Sequence, residues 1–456
     1  MLKKFLCLCL FCLCILSCKK TKDIVKPIEN DCEVLKQYLQ DAAIDVSLAI
    51  DDGLDINNLI SEIKNVYESF YVPYSIKNKL EEPDENGIYK EAFASSIAWI
   101  LEDTIPFKNT HNTIYNKNIK KVSAYRRYAF SSGIYFEQKG DEYFVLDSSD
   151  EKILEGMKYT GDIKNICKTI KDKRILFEFI AFNEFMINES IVNLDGTDYT
   201  IAVDYYPFVS KESDIISYKQ KDDTLYVSIN SCITHTEKDN NFYEQTVDEI
   251  CKCIDESEII IFDLRNNQGG YLEKLYPIIG ALVFGPDYLE KTEEYWNLIE
   301  SLNTGSTYLN TKQVRDRKLL SSNIDLLINN LDKKYVEVNS LAIQEKNYVP
   351  DFKGKIIILQ NTETCSTAEL FIAALHYLLG EQVVIFGQKT AGMLDFADEL
   401  DYRLPDSNLV LHLSSCDLRN LKILKNNPHW HGDTEGFYPD YWCFSDVDEE
   451  ISEILP

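Results

Sequence analysis

The stretch "KIIILQNTETCSTAELFIAAL", Lys355 to Leu375, decides the fold. Its first six residues are a continuous apolar run, as in a strand buried on both faces. "NTETC" (Asn361 to Cys365) is a short polar loop. After Ser366, the residues Leu370, Phe371, Ala373, Ala374, Tyr377 and Leu378 fall at helical spacing. The passage reads as strand, loop, helix. Ser366 and Glu369 also fit the capping box Ser-x-x-Glu, in which the hydroxyl accepts from the N3 amide and the carboxylate reaches back to the cap. Capping explains Ser366 without any chemistry. A nucleophile at the mouth of a helix is the alternative, though capping boxes far outnumber catalytic serines, and the rest of the chain has to weigh between them.

The same pattern recurs on either side. "TLYVSIN" (Thr224 to Asn230) is a strand. "EIIIFDLR" (Glu258 to Arg265) is another buried apolar run; it meets "NNQGG" and then a helical stretch from Tyr271 to Phe284. "QVVIF" (Gln382 to Phe386) is followed by "GQKTAG". Strand–loop–helix alternation predicts an α/β fold with a largely parallel sheet and helices on its faces. Such sheets bind ligands beyond the carboxyl ends of their strands, the edge to which "NNQGG", "NTETCS" and "GQKTAG" all belong. Gly269-Gly270 either makes a plain strand-to-helix turn or brings bare amides close to a ligand. In the second case the Thr367 N–H, at the start of the Ser366 helix, is a natural second donor for a tetrahedral oxyanion.

Upstream of this core the patterns differ. Residues 31–108 read as helices: "DINNLISEIKNVYESFY" carries Ile56, Leu59, Ile60, Ile63, Val66 and Tyr67 on one stripe, and "YKEAFASSIAWILED" is a second helical window. From Ser123 to Tyr206 the chain reads as a small β-rich domain. "GIYFEQKGDEYFVLD" alternates and breaks at Lys139-Gly140, and Asp195-Gly196 sits between two β-type runs as a hairpin signal. Residues 286–350 read as a long, polar, helical insertion that shapes a lid or an oligomer contact.

Composition narrows the function. The 456 residues suffice for two or three domains, and 45% hydrophobic with 27% charged is a globular balance. A net charge of −28 argues against nucleic acid as a partner, since neutralising phosphates needs clustered Lys and Arg. The first residues, "MLKKFLCLCLFCLCILSCKK", have a basic start, an apolar run from Phe5 to Leu16, and Ser17-Cys18. The run is too short to span a bilayer and reads as a secretory leader. "ILSC" resembles a bacterial lipobox, which implies lipidation at Cys18 and attachment to a membrane surface of the cell envelope. An ordinary cleaved leader is the alternative. The cysteines beyond the leader, Cys32, Cys167, Cys232, Cys251, Cys253, Cys365, Cys416 and Cys443, show no paired spacing for zinc. "HWHGD" (His429, His431, Asp433) has an H-x-H-x-D spacing, but no fourth ligand is evident, and no metal or other cofactor is expected.

Taken together, "IIIFDLRNNQGG", "KIIILQNTETCSTAELFIAAL", "VVIFGQKTAG" and the late "GFYPD" occur in the order found in the tail-specific, or C-terminal-processing, serine peptidases, to which tricorn-core proteases and retinoid-binding-protein repeats are related. The resemblance covers roughly 220 residues. It implies an α/β core of the ClpP/crotonase type, with Ser366 as nucleophile and Gly269, Gly270 and Thr367 as oxyanion donors. It also implies that "GIYF" (Gly133, Ile134, Tyr135, Phe136) resembles the carboxylate-binding loop of a PDZ domain, which would take up a substrate's C-terminus; a β domain used only for packing is the alternative. "LEDTIPFKNTHNT" (Leu101 to Thr113) resembles a family Leu-x-Asp-x-His-Thr stretch with an insertion.

One departure bears on activity. The processing-protease branch places a general-base Lys directly after the Gly of Thr-x-Gly-Lys; here that position is Met393, which cannot accept a proton. "TAG" is similar to the tricorn and retinoid-binding branch, in which a His and a Glu serve the serine. His235, after the first core strand, and Glu435 or Asp433, in "GDTEGFYPD", are the candidates for those parts. Lys389, four residues before the expected Lys, is expected to be exposed, and His376 to be structural. The expected organisation is a leader at 1–18, a tether and helical domain at 19–122, a PDZ-like domain at 123–206, and a peptidase core at 215–446. The function so implied is a membrane-anchored serine peptidase acting on proteins or peptides. The alternative is an inactive binding lipoprotein on the same scaffold.

Overall fold

The structure is a computed structural model. It describes residues 31–41, 46, 49–50, 53–66, 113–116, 127–162, 166–168, 175–182, 189–202, 204–205, 214–302, 305–310, 335–339, 348–397, 400–404, 409–414, 416–433 and 435–443. The leader with Cys18, the window Tyr89–Asp103 and residues 101–112 lie outside these. The chain divides into two compact units: residues 1–124, 307–338 and 396–418 in one, and residues 125–306, 339–395 and 419–456 in the other.

In the first unit the expected helical N-terminal region is present. Residues 31–41 are helical, and helix α1 (Ile56–Val66) buries Ile56, Leu59 and Ile63 of the predicted stripe. Strand Leu409–Leu413 pairs antiparallel with Thr113–Asn116 on one side and Leu400–Arg403 on the other.

The second unit opens with β structure. Strands β1 (Arg127–Lys139) and β2 (Glu142–Ser148) form a hairpin, and β1 also pairs with β3 (Ile175–Phe182). The Asp195-Gly196 hairpin forms between Glu189–Leu194 and Thr197–Ala202. Its two turn residues have φ 52° and 76°, the double left-handed conformation of a type I′ turn, which Gly adopts at little cost and Asp tolerates. The expected carboxylate loop falls in β1 at a register break: pairing with β3 lapses between Ser131 and Tyr135, and Gly133 has φ 65°. Tyr135 pairs with Asp147 on one side and Leu176 on the other, and Ile134 and Phe136 are fully buried.

The core sheet has the order β9–β8–β7–β6–β5–β4, where β4 is Ile216–Lys221, β5 Thr224–Ile229, β6 Ile259–Asp263, β7 Lys355–Gln360, β8 Val383–Gly387 and β9 Tyr441–Trp442. All neighbours run parallel except the edge pair β4 and β5. The apolar runs are buried on both faces, as predicted. Ile261, Ile357, Leu359 and Phe386 pack together on one side, while Phe262 meets Phe371 edge-on at 5.3 Å on the other. Helices α2 (Glu237–Ile254), α3 (Tyr276–Phe284) and α4 (Thr367–Leu379) follow β5, β6 and β7. Because Asp263 is level with Leu359 and Gln360 with Gly387, the loops after β6, β7 and β8 leave the sheet at one edge. The insertion differs from expectation. It holds a helix at Thr292–Leu302, but Gly305–Asn310 and Tyr335–Asn339 are strands, in keeping with the alternation of "YVEVN".

Candidate active site

Two loops, 95 or more residues apart in sequence, are tied to each other by side chains. Asn266 N–H donates to Asn361 Oδ1 at 2.9 Å, and Asn361 Nδ2 donates back to Asn266 Oδ1 at 2.7 Å. Thr364 Oγ1 donates to the Leu264 carbonyl at 2.9 Å, and Cys365 N–H to the Asn267 carbonyl at 2.9 Å. Asn267 is completely buried. Its Oδ1 accepts from Gly269 N–H at 2.8 Å, and its Nδ2 donates to the Ile229 carbonyl at 3.0 Å. These bonds seat the diglycine bend against the mouth of α4. There a Cβ on Gly269 would stand 2.8 Å from the Ser366 Cβ and 3.0 Å from the Thr367 nitrogen.

Ser366 is half-buried and has φ 55° and ψ −120°. A second cap in the same unit supplies the contrast. Thr236, at the start of α2, sits at φ −130° and ψ 158° and closes a full capping box with Asp239, which is the extended backbone an N-cap ordinarily takes. Ser366 also has its box partner: the Glu369 carboxylate accepts from the Ser366 N–H at 2.8 Å. Yet capping needs no left-handed backbone, and a non-glycine residue held there costs roughly 1–3 kcal/mol. A strained serine on a sharp strand-to-helix turn is also the setting of a nucleophile elbow.

The amides around it divide into two kinds. Gly269 differs from the sequence expectation, since its N–H is engaged by Asn267 and its carbonyl by Cys232 N–H at 2.9 Å. Its part is to let the two loops touch. Gly270 is exposed, and its carbonyl accepts from Thr367 Oγ1 at 2.6 Å. Among the described residues no acceptor meets the Gly270 N–H, and the Thr367 N–H is one of the donors a helix start leaves without an internal partner.

Glu369 is the hub that sequence reasoning missed beyond its capping part. Fully buried, it accepts from Ser366 N–H, from Gly392 N–H at 2.7 Å, from Met393 N–H at 2.9 Å and from the Thr390 hydroxyl. The Met393 N–H and the Ser366 N–H share one oxygen, Oε2. Position 393 therefore lies beside the serine, where the resemblance places the base, and the side chain there is a thioether.

Thr390 carries the network onward. Its Oγ1 accepts from Phe437 N–H at 2.7 Å, which docks the segment bearing Glu435. Glu435 Oε2 accepts from Tyr438 OH at 2.8 Å and from Lys389 Nζ at 3.0 Å. Lys389 was expected to be exposed; it is 5% exposed, because its amine turns inward to Glu435 and the Tyr438 ring. His431 lies over the same ring at 4.1 Å, and burial lowers its pKa, against the opposing pull of Glu435. His235 is not brought to this cluster by any contact. It is exposed in the loop before α2 and has no hydrogen bond or ion pair among the described residues.

The "HWHGD" residues diverge. His429 faces His376 at 4.9 Å and its Nδ1–H donates to the Tyr438 carbonyl at 3.1 Å; His431 turns to Tyr438; Asp433 accepts from Leu394 and Asp395 N–H, both at 2.7 Å. Among the described residues, no three His, Cys, Asp or Glu side chains converge as metal ligands. For His376, burial first, and His429 second, lower the pKa. No helix among the described residues is long and apolar enough to cross a membrane.

Residues 223–441 match the family model for peptidase family S41. No curated protein matches the chain. Among solved structures it is similar to a putative peptidase from Parabacteroides merdae, with 13% identity, coverage of 93% of this chain and 92% of that one, and a TM-score of 0.39. It is similar to mature CPAF in complex with lactacystin at 12% identity, 94% and 97% coverage and TM-score 0.44. It is similar to a lipoprotein from Streptococcus agalactiae at 19% identity, 53% and 70% coverage and TM-score 0.30.

Proposed function

We propose that this chain, whose residues 223–441 belong to peptidase family S41, is a serine peptidase that cleaves peptide bonds through an acyl-enzyme on Ser366. The observation that carries the reading is the left-handed backbone of Ser366 against the diglycine bend. In the reaction the Ser366 oxygen attacks the scissile carbonyl and its proton passes to a base. The carbonyl oxygen, now negative, is held by the Gly270 and Thr367 N–H groups. Collapse expels the amine, and water then releases the acyl group. Glu435, fixed by Tyr438 and Lys389, is the carboxylate that orients the base; His235, exposed and unbonded, has no support for that part beyond its place after the first core strand. The substrate is a protein or peptide. Export and lipid anchoring at Cys18 complete the reading, on the strength of the leader and its Ser17-Cys18 end.

The second reading, a binding protein without activity, is favoured by Met393. A fluorophosphonate probe separates the two. The peptidase reading expects covalent labelling of the purified chain that is lost in Ser366→Ala. Absence of labelling at any pH supports the binding protein. Lipid anchoring has its own test: Cys18→Ser should abolish the acyl mass increment and the membrane association of the expressed protein.

A further inference from the structure

The mouth of the site carries two large apolar side chains that the fold does not bury. Residues 231–233 run alongside the diglycine bend: Cys232 N–H donates to the Gly269 carbonyl at 2.9 Å, and Tyr271 N–H donates to the Cys232 carbonyl at 3.1 Å. This pairing sets Cys232 level with Gly270, so that Ile233 and Tyr271 are the next residues along the two segments. A Cβ on Gly270 would lie 2.6 Å from the Ile233 Cγ1, so Ile233 covers that α-carbon directly. Ile233 is 37% exposed and Tyr271 55% exposed. Single exposed apolar residues are ordinary on a protein surface. Here two of them belong to the paired segments that carry Gly270, whose N–H meets no acceptor among the described residues. The opposite lip is polar: Gln268 Nε2 donates to Glu363 Oε2 at 3.3 Å across the two loops.

We propose that Ile233 and Tyr271 form a specificity shelf for the side chain of the residue whose carbonyl rests on the Gly270 N–H, and that the shelf selects large apolar side chains. This rests on the peptidase reading of Ser366. A carbonyl oxygen bonded to Gly270 N–H brings its own α-carbon and side chain over the same backbone, where Ile233 and Tyr271 present hydrocarbon. Leucine or phenylalanine there removes apolar surface from water on both partners. Alanine covers too little of the shelf, and aspartate would lose hydration without gaining a partner. The shelf is open on its outer side rather than a closed pocket. The selectivity it gives is accordingly modest, about tenfold for leucine over aspartate.

The test uses the purified full chain and peptidyl diphenyl phosphonates that carry leucine, phenylalanine, alanine or aspartate beside the phosphorus. Labelling rates are followed by mass spectrometry of the Ser366 peptide. The expected result is leucine and phenylalanine ahead of alanine, and ahead of aspartate by about tenfold. In Ile233→Ser and Tyr271→Ser each ratio should fall, and in the double variant it should approach one, while Tyr271→Phe should keep it. Labelling of Ser366 at equal rates by all four probes, or an unchanged ratio in the double variant, overturns the shelf and leaves the peptidase reading standing. No labelling by any phosphonate, nor by the unsubstituted fluorophosphonate, overturns both.

Discussion

Gly269 and Ser366 are packed so closely that a Cβ on the glycine would stand 2.8 Å from the Cβ of the serine. Gly269 has φ 86° and Ser366 φ 55°, so two left-handed residues from distant loops face each other at the site. Gly269→Ala therefore meets both a backbone penalty and a clash with atoms that cannot swing away, the Cys365 carbonyl and the Thr367 nitrogen among them. The variant should be destabilised by at least about 2 kcal/mol. Urea melts read the stability, and fluorophosphonate labelling of the folded fraction should be lost. Normal labelling would mean that the loops part without harm to the site.

Glu369 holds the serine and the 390–393 loop through one carboxylate that takes four donors. Glu369→Gln keeps the shape but turns an NH2 toward amides that also donate. The expected loss is roughly 3 kcal/mol, since a buried charged acceptor is removed from several N–H groups at once. Labelling should fall with it. Thr390→Val, which removes one donor only, should cost less and keep part of the labelling.

Much of this was legible from the chain alone, and the limit has a physical form. The apolar runs at Ile259–Phe262 and Ile356–Leu359 announce doubly buried strands, because burial on both faces leaves no polar alternation to read. Asp195-Gly196 announces its turn because few residue pairs accept two positive φ angles. What was not legible depends on partners far along the sequence. Lys389 looked exposed because its partner Glu435 lies 46 residues away. Nothing local to "GIYF" says that Leu176 pairs with Tyr135. Ser-x-x-Glu alone could not distinguish a cap from a nucleophile. The backbone angle of Ser366, beside a diglycine bend nearly a hundred residues earlier, is an observation no single window of sequence carries.

The two candidates for the base and its orienting group separate by mutation. Glu435 is fixed by Tyr438 and Lys389, and its segment is docked through Thr390. Glu435→Gln should lower the labelling rate by about a hundredfold, the scale of a displaced general base. His235 is exposed and has no hydrogen bond or ion pair among the described residues, so His235→Ala should leave the rate within about twofold and the melting temperature unchanged. A large loss in His235→Ala, with the fold intact, would move the base to that loop.

Met393 offers the reverse experiment. Its N–H shares Glu369 Oε2 with the Ser366 N–H, so a lysine at 393 would extend from the position the family's base occupies. Met393→Lys should raise the labelling rate by about tenfold or more, the lower range for an added general base. The gain should grow with pH, because only the neutral amine accepts a proton. A gain that is flat with pH would mean the lysine acts by charge and not as a base.

Asp433 gives the chain a pH-dependent stability of defined sign. It is 6% exposed; Oδ1 accepts from Leu394 and Asp395 N–H, while the buried Oδ2 has no partner among the described residues. Burial, and then the Asp395 carboxylate beside it, push its pKa well above the usual carboxylate range, with Glu369 adding in the same direction. An acid with a raised folded pKa favours folding in its protonated form. That contribution is complete below the unfolded pKa, near about pH 4, and is lost as pH rises through the folded value. Asp433→Asn is fixed in the neutral form and keeps an oxygen for the two N–H groups. It should melt close to wild type near about pH 4 and at a higher temperature above neutrality, with the difference widening as pH rises. Thermal melts across that range measure it. A wild-type advantage at alkaline pH would show that the fold holds Asp433 ionised, against the penalty its burial imposes.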